Sequence, residues 1–297
     1  MPKHKSSEKL QKELKTKISQ AKKASETAKA GGKKGGGIRI PRQGAGTIVL
    51  LGGPNGGKSQ LLKSLTRATP EVAEYPFTTR QPQPGMMPWE DVHAQLIDTP
   101  PVTADFLDPN LQGLIRGADL CLLVVDLGND DGVERVAEAL DRLNATKSRL
   151  GRESRLDEDD VGLSYTKTFT VANQMDQEGA LDRLEMFHEL TPLDFPEFQV
   201  SALDGTGLEE LRDASFRALN VVRVYTKLPN AKEADFDKPF TLAAGSTVLE
   251  FAGMVHRDFA EGFKHARVWG AEHSGETVKG DHVVQDKDVV ELHATTG

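Results

Sequence analysis

Residues Gly52-Gly53-Pro54-Asn55-Gly56-Gly57-Lys58-Ser59 follow the pattern G-x-x-x-x-G-K-[ST], and the chemistry of that spacing is the grip of a phosphate chain. Such a loop must turn tightly and bring backbone N–H groups up to phosphate oxygens. Side chains would obstruct that approach, so glycines recur along it. Lys58 is expected to reach the outer phosphates, and Ser59 to offer its hydroxyl to Mg²⁺. Gln60 follows at the start of a helix and belongs to the same nucleotide-binding set.

Further chemistry-bearing residues follow in order. Asp98 closes the run Ala94-Gln95-Leu96-Ile97, where a carboxylate can hold Mg²⁺ through water opposite the loop. In Asn173-Gln174-Met175-Asp176, an aspartate can accept two hydrogen bonds from the N1 and N2 donors of guanine, which adenine does not offer. Base choice then rests on Asp176, and this disfavours an ATPase. Ser201-Ala202-Leu203 ends the next strand, and the Ala202 N–H is placed to bind guanine O6. A threonine of Glu74-Tyr75-Pro76-Phe77-Thr78-Thr79 is expected to close over Mg²⁺ when a third phosphate is present and to release after hydrolysis. Each motif alone is a common turn or cap; five in this order at strand ends form a joint signal.

The elements that must position these residues alternate between strand and helix. The pattern predicts strands at Thr47–Leu51, His93–Ile97, Leu120–Val125, Thr168–Ala172 and Phe198–Val200. Helices are predicted from Ser59, over Gly132–Leu150, over Glu178–Leu190 and over Gly207–Leu219. That rhythm predicts an α/β fold with a mainly parallel sheet and helices on both faces, with ligands at the carboxyl ends of the strands. The charged stretch Arg152–Asp160 is expected to be a surface loop. After Asn220 a compact unit is predicted, with strands at Val221–Thr226, Phe240–Leu242, Arg267–Trp269 and Val289–Leu292. They wrap one helix capped by Ser246, whose apolar face is Val248, Phe251 and Val255. Leu10, Leu14, Ile18 and Ala21 have helical spacing, and Gly31–Gly37 reads as a linker. The organisation is therefore a basic arm at 1–37, a nucleotide domain at 38–220 and a C-terminal domain at 221–297.

Composition sets the partners. The 297-residue chain has a formal net charge of −8, yet residues 1–34 hold eleven lysines against three glutamates. A basic arm on an acidic body suggests a polyanionic partner such as RNA, or else a solvated tail. Apolar runs are strand-sized and no secretory pattern is visible, so a cytoplasmic protein without a membrane partner is expected. The single cysteine, Cys121, lies in an apolar run and is expected in the core.

The motif order, together with Tyr75-Pro76-Phe77-Thr78-Thr79 and Val222-Arg223-Val224-Tyr225-Thr226-Lys227, resembles the Obg-related GTPases, most closely their developmentally regulated GTP-binding branch. His256-Arg257-Asp258-Phe259, Phe263-Lys264-His265-Ala266 and Val268-Trp269-Gly270 resemble that branch's C-terminal TGS domain, a ubiquitin-like β-grasp unit. The similarity runs over roughly residues 8–297. It implies GTP and GDP binding with slow, regulated hydrolysis and association with ribosomes or structured RNA; a protein partner through the TGS domain is a further expectation, and the sequence does not say what that domain binds. The roles it implies fall on Lys58, Ser59, Thr79, Asp98, Asn173, Asp176 and Ser201, with Thr79 favoured over Thr78. Asn55 matches the asparagine with which some relatives hold a catalytic K⁺; alternatively it serves an unusual backbone angle.

Four departures qualify the resemblance. The family pattern Asp-x-x-Gly, whose glycine N–H binds the γ-phosphate, reads Asp98-Thr99-Pro100-Pro101 here, and proline has no N–H. Sensing of the third phosphate is expected to weaken unless a neighbouring donor takes over, which leaves a guanine-nucleotide adaptor with impaired switching as the alternative to a slow GTPase. Gln174 replaces the usual lysine, so affinity is expected to fall while guanine choice survives. Val102, after the motif, is no departure, being apolar as in related GTPases that lack a water-orienting glutamine there. Only 75 positions separate Asp98 from Asn173, and the N-terminal segment is short, so partners that the branch reads through its inserted domain or longer helical region do not carry over.

Overall fold

The computed structural model describes residues 40–66, 82–229 and 231–295. The predicted arm helix, the Gly31–Gly37 linker and the Tyr75–Thr79 segment lie outside the described residues.

The first layer is an eight-stranded sheet. Its central path runs β2 (Gln83–Trp89), β3 (Val92–Asp98), β1 (Thr47–Leu51), β4 (Leu120–Asp126), β7 (Ser164–Asn173) and β5 (Ser148–Gly151). The short β6 (Arg155–Leu156) and β8 (Glu197–Gln199) both pair with β7. The pairings of β1 with β3 and β4, and of β7 with β4, β5 and β8, are parallel; β2 and β6 are antiparallel. Apolar runs such as Thr-Ile-Val-Leu-Leu arise because both faces are covered. Ile48 and Leu50 enter the core formed with α1 (Lys58–Thr66) and α5 (Leu208–Ala218), while Val49 and Leu51 enter the core on the opposite face. That face holds α2 (Leu111–Gly117), α3 (Asp131–Asn144) and α4 (Ala180–Leu190). Cys121 is fully buried there, and burial pushes its thiol pKa up.

The C-terminal unit is a five-stranded mixed sheet in the order β10 (Asp235–Ala243), β9 (Val221–Thr226), β13 (Asp288–Ala294), β11 (Phe263–Trp269), β12 (Ser274–Val278). Only its β13–β9 pair is parallel. Helix α6 (Val248–Val255) packs Val248, Phe251 and Ala252 against Val224, Ala266, Val268, Val290 and Leu292, the β-grasp arrangement; the short α7 (Arg257–Glu261) follows it.

Local departures from the sequence pattern have physical causes. The helix predicted to reach Leu150 stops at Asn144, and Ser148–Gly151 instead forms β5 beside β7. The charged stretch expected to be a loop contributes Arg155 and Leu156 to β6, with both side chains exposed. Thr247, not Ser246, caps α6: its hydroxyl accepts the Glu250 N–H while the Glu250 carboxylate accepts the Thr247 N–H. Such a reciprocal cap stabilises a helix by about 1 kcal/mol. Among the described residues no helix is long and apolar enough to cross a membrane.

Candidate functional site

The glycine-rich loop connects the carboxyl end of β1 to the amino end of α1, whose unpaired N–H groups and dipole favour an anion. Two glycines are demanded by geometry. Gly52 has φ 146°, and a Cβ there would lie 2.5 Å from the Val124 carbonyl oxygen. Gly57 has φ 82°, and a Cβ there would overlap the Asn173 side-chain amide. Asn55 also sits in the left-handed region, at φ 61°, so its type answers a backbone need.

Lys58 is 7 % exposed and folds back over this loop, donating from Nζ to the carbonyls of Gly53 (2.6 Å) and Gly52 (3.1 Å). Burial holds its pKa below the ordinary lysine value, against the attraction of Asp98. Ser59 Oγ donates to Asp98 Oδ2 at 2.5 Å. Asp98 is itself buried, which raises its pKa, and its Oδ1 has no hydrogen-bond partner. A buried carboxylate oxygen left unpaired beside a hydroxyl fits the demands of a hard divalent cation with oxygen ligands. The expected donor pair, Ser59 and Asp98, is therefore assembled; Thr79 lies outside the described residues.

The base-side loops are tied directly to the phosphate loop. Asn173, 1 % exposed at the end of β7, donates from Nδ2 to the Gly56 carbonyl (2.9 Å) and accepts the Ala202 N–H on Oδ1 (3.0 Å). Gln174, at φ 68°, donates from Nε2 to the Asn55 carbonyl (3.1 Å) and to Asp126 Oδ1 (2.9 Å). Asp176 accepts Ser201 Oγ at 2.7 Å and Gln177 Nε2 at 2.5 Å. The Ser201 hydroxyl is the main cause of its lowered pKa, so the carboxylate is ionised at neutral pH. Leu203 is 75 % exposed beside it, and its N–H reaches Ser201 Oγ at 3.3 Å.

Two of the expected ligand contacts are engaged within the protein. The Ala202 N–H is already donated to Asn173, so guanine O6 does not meet a free amide at that position. The Gln60 side-chain amide lies 3.4 Å from Ser64 Oγ on the exposed side of α1, while its backbone stands in the first turn of that helix. Three participants were missed. Asp126 anchors Gln174 and accepts the Gly128 N–H and the Asn129 amide as well. Gln177 covers the free oxygen of Asp176. The Val102 N–H, next after the two prolines, is donated to the Gly52 carbonyl at 3.1 Å. A carboxylate at the end of β4 was a visible signal for Asp126; the other two had none.

Residues 47–153 match the family described as 50S ribosome-binding GTPase, and residues 222–294 match the TGS domain. The chain thus joins a region similar to GTPases to a region similar to TGS domains. It is 28 % identical to an uncharacterized GTP-binding protein of Halobacterium salinarum, covering 95 % of this chain and 92 % of that one. It is also 27 % identical to developmentally-regulated GTP-binding protein 1 of Xenopus laevis, over 88 % of this chain and 86 % of the relative. Among solved structures, the YchF GTPase of Schizosaccharomyces pombe superposes with a TM-score of 0.54 at 14 % identity, covering 88 % of this chain and 100 % of that one. That likeness supports the fold of the GTPase and TGS units together.

Proposed function

We propose that the chain binds GTP and GDP with Mg²⁺ and hydrolyses GTP slowly, as a nucleotide-dependent regulator. The observation that carries this is the pair of hydrogen bonds made by Asn173, one donated and one accepted, which joins the phosphate loop to the Ser201–Leu203 loop and sets the ionised Asp176 beside the loop that would hold the phosphates. Guanine N1 and N2 would take the place of Gln177 on Asp176, and the Leu203 N–H, only weakly engaged, is the better donor to O6. Lys58 would leave the carbonyls of Gly52 and Gly53 for the phosphate oxygens, exchanging neutral acceptors for charged ones. Ser59, Asp98 and Thr79 would hold Mg²⁺, which when bound neutralises charge on the phosphate oxygens. Asn55 lies where relatives hold K⁺, and its left-handed backbone explains it equally well.

The regulatory assignment is coarser. The matched family's description, the lysine-rich residues 1–34 and the resemblance to developmentally regulated GTP-binding proteins support a ribosomal or structured-RNA partner in the cytoplasm. The TGS domain, read as 221–297 beside a GTPase domain at 38–220 and an arm at 1–37, is the surface assigned to a protein partner.

One observation favours a second reading, a guanine-nucleotide adaptor with impaired switching. Pro100 and Pro101 supply no N–H, the Val102 N–H is held by Gly52, and the Thr103 N–H is donated to the Phe106 carbonyl. Isothermal titration with GDP, a non-hydrolysable GTP analogue and an ATP analogue, with and without K⁺, paired with phosphate-release assays, separates the readings. Tight guanine binding with slow phosphate release supports the first. Equal affinity for GDP and the analogue with no release supports the second, and preference for the ATP analogue defeats both.

A further inference from the structure

The β2–β3 hairpin touches both the nucleotide site and the TGS domain. Its seven residue pairs run without a register break from Gln83 opposite Asp98 to Trp89 opposite Val92. The open end therefore carries Asp98. The closed end is the tight turn at Glu90 and Asp91, with Glu90 at φ 47°.

That turn is held by one side chain of the TGS domain. Arg223, on β9, is 2 % exposed. Its Nη1 donates to Glu90 Oε2 (2.5 Å) and to Asp91 Oδ1 (2.8 Å). Its Nε and Nη2 grip Asp286, at 3.0 and 2.6 Å, and its guanidinium carbon lies 4.8 Å from the centre of the Trp89 ring. Tyr225 donates its hydroxyl to Asp91, and Lys287 stands 3.2 Å from Glu90. Trp89 in turn stacks on Phe216 of α5 at 4.0 Å and donates Nε1–H to Asp213. A buried guanidinium that is fixed by Asp286 within its own domain and grips Glu90 and Asp91 of the other is a rigid joint, because those two acids would lose Arg223 if the domains parted.

A paired hairpin does not slip by one residue without turning its buried side chains outward, and Met87, Ala94 and Leu96 are fully buried against the core that includes α1. Movement of the closed end therefore travels along the ladder to Asp98. We propose that Arg223 is a positioning residue for the Mg²⁺–nucleotide site, and that through it the TGS domain and the bound nucleotide control one another. The inference rests on the guanine-nucleotide reading above. Coupling of this kind is reciprocal: whatever moves the TGS domain alters nucleotide retention, and nucleotide alters the joint.

The test measures release of fluorescent GDP from the full chain, in Mg²⁺ and in EDTA, for the wild type, Arg223→Gln, Arg223→Lys and Tyr225→Phe. Arg223→Gln should speed release in Mg²⁺ by about fivefold or more and leave the EDTA rate unchanged, since only the Asp98 side is disturbed. Arg223→Lys should restore part of the retention, and Tyr225→Phe, which keeps the charged joint, should show a smaller effect of the same kind. Equal acceleration in both conditions would mean general loosening and would overturn the proposal, as would unchanged rates. If Arg223→Gln does not fold, Tyr225→Phe decides: a Mg²⁺-specific acceleration supports the joint, and a wild-type ratio of the two rates overturns it. A wild type that retains no GDP in either condition would instead bring down the nucleotide reading itself.

Discussion

The base side of the site and its third-phosphate side are built differently. On the base side, buried Asn173 and partly buried Gln174 bond the phosphate loop to the loops that hold Asp176 and Ser201, so the backbone that carries the groups proposed to grip guanine and phosphate is braced. On the other side, the segment after Asp98 spends two positions on proline and commits the next amide to Gly52. On the proposed roles, the contrast makes recognition of a guanine nucleotide and sensing of its last phosphate separable. The first needs bracing between loops, whereas the second needs a free donor that moves.

The largest way to break this comparison is to remove the phosphate cation. Lys58→Ala should lower affinity for GDP and for the GTP analogue by more than about a hundredfold, the loss of roughly two charge-assisted hydrogen bonds. Titration calorimetry checks it, and near-wild-type binding would show that the loop does not hold phosphates. Next is the base. Asp176→Asn should cost guanine nucleotides about a hundredfold and shift preference to xanthine nucleotides, which offer an acceptor where guanine offers an amine. Competition with xanthosine diphosphate reads this directly.

Smaller changes sharpen the contrast. The wild type should prefer the GTP analogue over GDP by less than about tenfold, and Pro101→Gly should raise that preference by about tenfold, one hydrogen bond to a charged oxygen. An unchanged ratio would mean that the proline does not limit sensing. The smallest effect is expected on the braced side. Gln174→Lys would place a cation between the Asn55 carbonyl and the Asp126 carboxylate, two acceptors now shared by a neutral amide. It should tighten GDP binding by a few-fold, worth about 1 kcal/mol, and weaker binding would show that the glutamine is the better fit there.

Particular residues show what was legible in the chain. The phosphate loop could be read because eight consecutive residues carry it and the strand and helix on either side announce themselves. The strand β2 could not: Gln-Pro-Gly-Met-Met-Pro-Trp contains two prolines and a glycine, which strand propensity rejects. The sheet tolerates it because β2 lies at an edge. The end of α3 was overrun because Leu150 keeps helical spacing from Leu143, and only pairing with β7 makes Ser148–Gly151 a strand. The Thr247 cap was readable, since Glu250 follows it at the capping-box spacing.

The sequence by itself determined the phosphate loop, the acidic residues at strand ends and the loss of an N–H at Pro101, because each is a property of residue type and local order. Only the tertiary structure decided that the Val102 and Ala202 amides are already occupied, that Asp126 braces Gln174, and that Arg223 joins the TGS domain to the β2–β3 turn. Those facts concern which partner a polar group finds across more than twenty residues of chain, and a hydrogen bond leaves no periodic trace of its partner in sequence.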